Sequence, residues 1–150
     1  MDRVKAEKPD TIFVSDMSSV LGARDLHKEN LWDDYGVIFS GVHKNLGTSG
    51  LCVAIVRDDV MDRVVSQHKR SKIPVPKLFD WKEYYHATDF INTPTLMAVY
   101  ISQATCEFFN SKGGVSYYED LAIAKANAIY NAIDDSKLFK CFVEPELRSS

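Results

Sequence analysis

Apolar residues gather in three short runs in the first third of the chain, each closed by an acid or a glycine. Thr11-Ile-Phe-Val-Ser15 ends in Asp16, Tyr35-Gly-Val-Ile-Phe39 leads into a glycine loop, and Leu51-Cys-Val-Ala-Ile-Val56 stops at Arg57-Asp58-Asp59. Their length, β-branched content and punctuation predict buried strands. Met17 to Asp34 is polar and irregular. Asp58 or Asp59 can cap a short helix that runs through about Lys69. Pro74 and Pro76 then break regularity, so residues 71–90 read as a long excursion over the surface. Its aromatics, Phe79, Trp81, Tyr84 and Tyr85, either pack locally beneath it or meet another subunit.

The second half changes period. Asn92-Thr93-Pro94 opens the longest predicted helix, with Thr93 at the N-cap and Pro94 at the first helical position. Leu96 to Phe109 is apolar on most sides, which predicts a mostly buried helix. Lys112-Gly113-Gly114 supplies its stop. Ser116 with Glu119 three residues on has the form of a capping box, and Leu121, Ala124, Ala128, Ile129 and Ala132 line one face of a second helix through about Asp134. Phe139 to Val143 is a candidate strand. The switch from α/β alternation to a helix pair suggests a domain change near Gly113, giving one domain over 1–113 and the start of another over 114–150.

Composition narrows the function classes. With 150 residues, 45% hydrophobic and 26% charged, the chain has the make-up of an ordinary globular protein with a proper core. A net charge of -3 and no long basic run argue against broad nucleic-acid binding. Lys69-Arg70 with Lys72 reads as a solvated helix end. No apolar run approaches the roughly 18 residues of a membrane helix, and the N-terminus lacks the apolar core of a signal peptide, so a cytoplasmic protein is expected. Cys52, Cys106 and Cys141 form no CxxC and read as core thiols. His27, His43, His68 and His86 show no zinc-type spacing, and no metal is expected.

Gly41-Val-His-Lys-Asn-Leu-Gly-Thr-Ser-Gly50 sets one lysine among three glycines between two predicted strands. Glycine at that density marks a sharp turn or a close approach, and the lysine is expected to point into a confined space. A P-loop is excluded, because Lys44 follows His43 and precedes Asn45. A dinucleotide fingerprint is absent too, since Gly47 and Gly50 give only GxxG with no helix pattern after them. Pyridoxal phosphate accounts for three features together. A lysine amine can condense with its aldehyde and later shuttle protons. An acid at a strand end, Asp16, can keep the pyridine nitrogen protonated. Donors at a helix N-terminus, Asn92 and Thr93, can take the phosphate. Each signal alone has a plainer reading: a solvated lysine, a turn aspartate, a helix cap.

The segments then combine. Asp16-Met-Ser-Ser19, Tyr35-Gly-Val-Ile-Phe-Ser-Gly-Val-His-Lys-Asn-Leu-Gly47 and Val53-Ala-Ile-Val-Arg-Asp-Asp59 resemble the DMSS, YGxIxAGAQKNxG and VxIVRDD segments of phosphoserine aminotransferases. Asn92-Thr-Pro94, Gly113-Gly-Val115 and Val143-Glu-Pro-Glu-Leu-Arg-Ser149 match later segments of that family in the same order. The resemblance spans nearly the whole chain. It implies an α/β fold: part of the large domain of a fold-type I, pyridoxal-phosphate-dependent transferase, with the start of the small α+β domain.

The resemblance also implies roles. Lys44 is the lysine that bonds to the cofactor aldehyde, and Asp16 is the partner of the pyridine nitrogen. Asn92 and Thr93 are donors that cross a homodimer interface to the neighbouring subunit's cofactor phosphate. Family members carry Gln before the lysine where this chain has His43. An imidazole can also donate to a phosphate, and related desulfurases do carry His-Lys, so His43 is a phosphate ligand by the same resemblance. The 24–34 segment is longer than usual, and Thr95 stands where a second proline is common. The implied activity is reversible amino transfer between L-glutamate and 3-phosphohydroxypyruvate, giving O-phospho-L-serine for serine biosynthesis. A full subunit of the family is more than twice as long, so the chain is expected to be a central piece with little activity alone. Two alternatives stay open: another enzyme of the superfamily such as a cysteine desulfurase, and a catalytically dead chain that only binds a partner subunit.

Overall fold

The computed structural model describes residues 2–28, 31–70, 72–88 and 90–150. Glu29 and Asn30 of the 24–34 segment, Ser71 and Asp89 of the expected excursion, and the side chain of His68 lie outside the described residues. A short helix, α1 (Asp2–Glu7), precedes the first strand, β1 (Val14–Asp16). A one-turn helix, α2 (Leu31–Asp34), leads into β2 (Val37–Gly41), and β3 (Cys52–Val56) follows the glycine loop. The sheet order is β1-β2-β3. β1 runs parallel to β2 with Val14 opposite Val37 and Asp16 opposite Phe39. β3 runs antiparallel to β2, from Val56 opposite Val37 to Cys52 opposite Gly41.

All three strands lie where apolar runs predicted them, with shifted ends. The Thr11 amide donates to the Lys8 carbonyl in a turn, so the first strand begins only at Val14. Gly36 N–H donates to the Phe13 carbonyl, and ladder pairing starts one residue later than Gly36. β2 is the central strand and the buried one: Val37, Ile38 and Ser40 are almost inaccessible. β3 was expected to be buried but is exposed at four of its five residues. Its position explains this, because among the described residues no strand pairs with its outer edge.

Ile38 packs with Met17 and Leu26, and Val20, Leu21, Trp32 and Tyr35 surround that cluster. The irregular 17–34 segment therefore folds back over the sheet rather than away from it. α3 (Asp58–Arg70) buries Val60 and Met61. Asp58 and Asp59 stand in its first turn, where the helix dipole favours them. Lys69 and Arg70 at its end are exposed, as the solvated helix end requires.

The 71–90 segment holds a 3-10 turn (Lys77–Phe79) and one short helix, α4 (Trp81–Tyr85), whose N-cap Asp80 accepts from the Lys82 amide. Its aromatics do not pack beneath it: Phe79 is 74% exposed and Tyr85 53%. Two helices follow, α5 (Leu96–Ser111) and α6 (Gly114–Asp134). Thr95, not Thr93, is the N-cap of α5, its carbonyl taking the Ala98 and Val99 amides. Pro94 therefore lies outside the helix. α5 was expected to be mostly buried, yet only Ala98 is, because the rest of its apolar surface has little beyond α6 to pack on.

Between the helices Gly113 adopts φ 111°, a left-handed turn that suits glycine, and Phe109 stacks on Tyr118 with ring centroids 3.7 Å apart. α6 starts two residues before Ser116, so the expected capping box does not form. Glu119 instead accepts from the Asp25 amide and from Lys28 Nζ, which ties the 25–28 turn to this helix. Residues 139–143 form no strand. Cys52 and Cys106 are exposed and Cys141 is half-buried, so none is the core thiol expected.

The last residues are held by Arg148, which donates to both carboxylate oxygens of Asp134 at 2.6 and 2.7 Å and lies over the Tyr130 ring. That guanidinium holds the Asp134 carboxyl below its ordinary 3.8. A depressed folded value means the anchoring is fully present above about 3.8 and is lost as pH falls through the lowered value. Asp134→Asn should release the segment already at neutral pH. Faster amide exchange at Leu147 and Arg148, whose amides bond to Glu144 and Pro145 carbonyls, reads this directly. Unchanged protection in the variant would contradict it.

Candidate functional site

The parallel pairing of β1 and β2 brings two chain turns side by side at one end of the sheet. Asp16 is the last residue of β1, and the Met17 amide extends the ladder by donating to the Phe39 carbonyl at 2.8 Å. The chain then turns sharply, with Ser18 N–H donating to Asp16 Oδ1 at 2.9 Å. The Ser18 hydroxyl oxygen accepts from the Gly41 amide at 2.9 Å, which locks the end of β1 to the end of β2. Asp16 titrates below its ordinary value. The Ser18 hydroxyl is the main cause and the Ser18 amide the next; Lys44 and His43 add weaker electrostatic help, and partial desolvation opposes them.

Beyond β2 the backbone winds into a turn, the Leu46 amide donating to the Val42 carbonyl, and Val42 is buried beneath it. Lys44 Nζ donates to Ser19 Oγ at 2.6 Å. Asn45 Nδ2 donates to the Ser19 and Leu21 carbonyls at 3.2 and 3.0 Å, so the lysine turn and the serine turn clasp each other. His43 folds back over Gly41: a Cβ at Gly41 would lie 2.5 Å from the imidazole Cε1, which explains glycine there. Gly22 closes the same clasp at φ 82°, where a Cβ would lie 2.8 Å from Leu46 Cδ2. Gly22→Val combines left-handed strain with that overlap and should cost roughly 2–4 kcal/mol. Urea unfolding measures it, and a loss under about 1 kcal/mol would show that the clasp tolerates repacking.

The structure therefore brings together three of the expected site residues, Asp16, His43 and Lys44. Lys44 does not point into a confined space, however: it and His43 are exposed, and its ammonium is fixed by a hydroxyl rather than by burial. Asn92 and Thr93 are not part of this group within one chain. Both are exposed, and among the described residues the Asn92 amide donates to the Thr93 carbonyl, at 3.4 Å. They do stand near the far end of the lysine loop, since Thr95 packs against Gly50 and Ser102 against Gly47. Ser18, Ser19 and Asn45 carry the geometry and were not singled out from sequence. The paired serines two and three residues after Asp16 were the available signal.

A carboxylate kept ionised, a fixed primary amine and an imidazole on one edge form a set that suits a ligand with a basic ring nitrogen, an aldehyde and a phosphate. The donor chemistry thus fits pyridoxal phosphate. Among the described residues no group of three or more His, Cys, Asp or Glu side chains could hold a metal ion, and no helix is long and apolar enough to cross a membrane.

Comparison with known proteins shows the family. The aminotransferase class-V family model matches residues 2–150. The phosphoserine aminotransferases of Burkholderia vietnamiensis (strain G4) and Burkholderia multivorans are each 34% identical over 140 residues, 93% of this chain. The chain spans 36% of the length of those relatives. The structure of pyridoxal-phosphate-bound phosphoserine aminotransferase from Trichomonas vaginalis superposes with a TM-score of 0.80 at 29% identity, covering 93% of this chain and 36% of that one. The enzyme from Bacillus circulans subsp. alkalophilus gives 0.66 at 28% identity over 84% of this chain and 32% of its own. The α/β reading of the sequence therefore holds, and with a family match over essentially its full length this chain belongs to the class-V aminotransferases.

Proposed function

We propose that this chain is the lysine-bearing part of a pyridoxal-phosphate-dependent phosphoserine aminotransferase. The protein would interconvert L-glutamate and 3-phosphohydroxypyruvate with 2-oxoglutarate and O-phospho-L-serine, in the cytoplasm and as part of serine biosynthesis. The observation that carries the proposal is the opposed pair Asp16 and Lys44, each held by one of two adjacent serines where β1 and β2 end.

Pyridoxal phosphate, when bound, supplies an aldehyde for a lysine amine and a ring that draws electrons away from a substrate carbon. Lys44 holds the group through Nζ and, when that nitrogen is free, carries the proton that must leave one carbon and reach another. Asp16, ionised throughout the neutral range, would keep the cofactor's ring nitrogen protonated by charge and hydrogen bonding. His43 donates to the phosphate. Asn92 and Thr93 would serve the phosphate of a second subunit in a homodimer, and their exposure is consistent with that use. Residues 1–113 then belong to the cofactor-binding domain and 114–150 to the next one.

On its own the 150-residue polypeptide should turn over phosphoserine and 2-oxoglutarate at a near-background rate, because both outer strand edges of its sheet are unpaired among the described residues and orientation contributes much of such a rate. Glutamate formation is the readout, and robust turnover would refute the expectation. Running the same assay with cysteine, and detecting sulfide, separates the proposal from a desulfurase.

A further inference from the structure

We propose that Asn45 is a positioning residue for Lys44, its carboxamide fastening the lysine turn to the turn that carries Ser19, the acceptor of the Lys44 ammonium. The inference rests on the role given to Lys44 above and extends it to a neighbour with no assigned part in the reaction. An exposed lysine has no walls to hold it, and its long side chain gains entropy by leaving any single rotamer. Lys44 is exposed, so its bond from Nζ to Ser19 Oγ at 2.6 Å decides where the amine stands. Ser19 is exposed as well, and its hydroxyl is only as well placed as the turn beneath it.

Asn45 supplies that placement. Its Nδ2 carries two hydrogens, and the two carbonyls it reaches, Ser19 at 3.2 Å and Leu21 at 3.0 Å, use both. Ser19 is thereby held from two sides, its hydroxyl by Lys44 and its carbonyl by the next residue along. Asn45 is itself half-buried, and a Cβ added at Gly22 would lie 3.5 Å from its own Cβ, so the carboxamide is packed under the clasp rather than swinging in solvent. The amine is therefore placed by an amide one residue away as well as by the hydroxyl it touches.

The test needs no cofactor. Ammonium hydrogen exchange with solvent, followed by NMR at mildly acidic pH on the 150-residue chain isotope-labelled at lysine Nζ, reports how firmly each ammonium is held. Lys28, whose Nζ donates to Glu119 at 2.8 Å outside this clasp, is the control in the same sample. Asn45→Leu, close to the same shape but without donors, should raise exchange at Lys44 roughly threefold, the worth of one exposed hydrogen bond, and leave Lys28 unchanged. Ser19→Ala removes the acceptor outright and should raise it at least as much. Adding Asn45→Leu to Ser19→Ala should then change nothing further, because the carboxamide acts through Ser19. Should Asn45→Leu not fold, with exchange rising at Lys28 too, Asn45→Gln takes its place: it keeps the donors at a displaced position and should give a smaller rise at Lys44 alone. Unmoved exchange at Lys44, or a rise in the double variant over Ser19→Ala as large as that in Asn45→Leu, overturns the proposal. Failure of the Lys44 role itself would look different: exchange would behave as stated, while borohydride fixed no cofactor on Lys44 of the native chain.

Discussion

Lys44→Ala should abolish covalent capture of pyridoxal phosphate by the chain. Added cofactor then gives no yellow colour beyond that of surface lysines, and borohydride treatment fixes no cofactor at the 41–50 loop. The expectation is large because bond formation needs a primary amine held in one place. Lys44 is the lysine whose ammonium is fixed by Ser19 beside the ionised Asp16. Lys44→Arg sharpens the test: it keeps the positive charge and the donor to Ser19 but cannot condense with an aldehyde, so it should be equally colourless. Neither change should unfold the chain, since the side chain is exposed and the turn is held by Val42 and Asn45. Colour retained in both variants would remove Lys44 from the chemistry.

Asp16→Asn should have the next largest effect, and a selective one. The amide oxygen can still accept from Ser18 N–H, so the turn after β1 survives; the negative charge does not. Without it nothing in this turn would favour a protonated ring nitrogen on a bound cofactor, and the electron-drawing capacity the ring supplies would fall. On the proposed function, exchange of the substrate α-hydrogen with solvent in the cofactor-loaded protein should slow by roughly 100-fold, while the cofactor dissociation constant changes far less. Equal losses in exchange and in affinity would mean that Asp16 merely binds.

Much of this site was legible in the sequence because its chemistry is written in residue type. An acid at the end of an apolar run and a lysine in a glycine loop remain recognisable whatever the register of the strands. The serines were not legible, because their meaning depends on pairing. Only when Asp16 falls opposite Phe39 does the Ser18 hydroxyl meet the Gly41 amide, and a period-two pattern cannot reveal that. The start of α5 was misplaced for a local reason: Thr93 and Thr95 flank the same proline, and both have the chemistry of a cap. Glu119 was read as a partner of Ser116, whereas the folded chain sends it across to Asp25 and Lys28, a contact between residues more than 90 apart.

Burial was misread more than position was. Apolar runs mark faces that gain from being covered, and for β2 the 17–26 segment supplies such cover over Ile38. For β3, at the sheet edge, and for α5, which rests chiefly on α6, no described element supplies it. Leu96, Met97 and Tyr100 are each about two-thirds exposed in consequence.

The central claim is that one amine, next to one ionised acid, receives the cofactor. Incubating the native chain with pyridoxal phosphate, reducing with borohydride and mapping the modified peptide by mass spectrometry tests it most directly. The label is expected on Lys44, in the peptide containing Gly41 to Gly50, well above the level at any other lysine. A label spread evenly over surface lysines, or concentrated on one outside that loop, would contradict it.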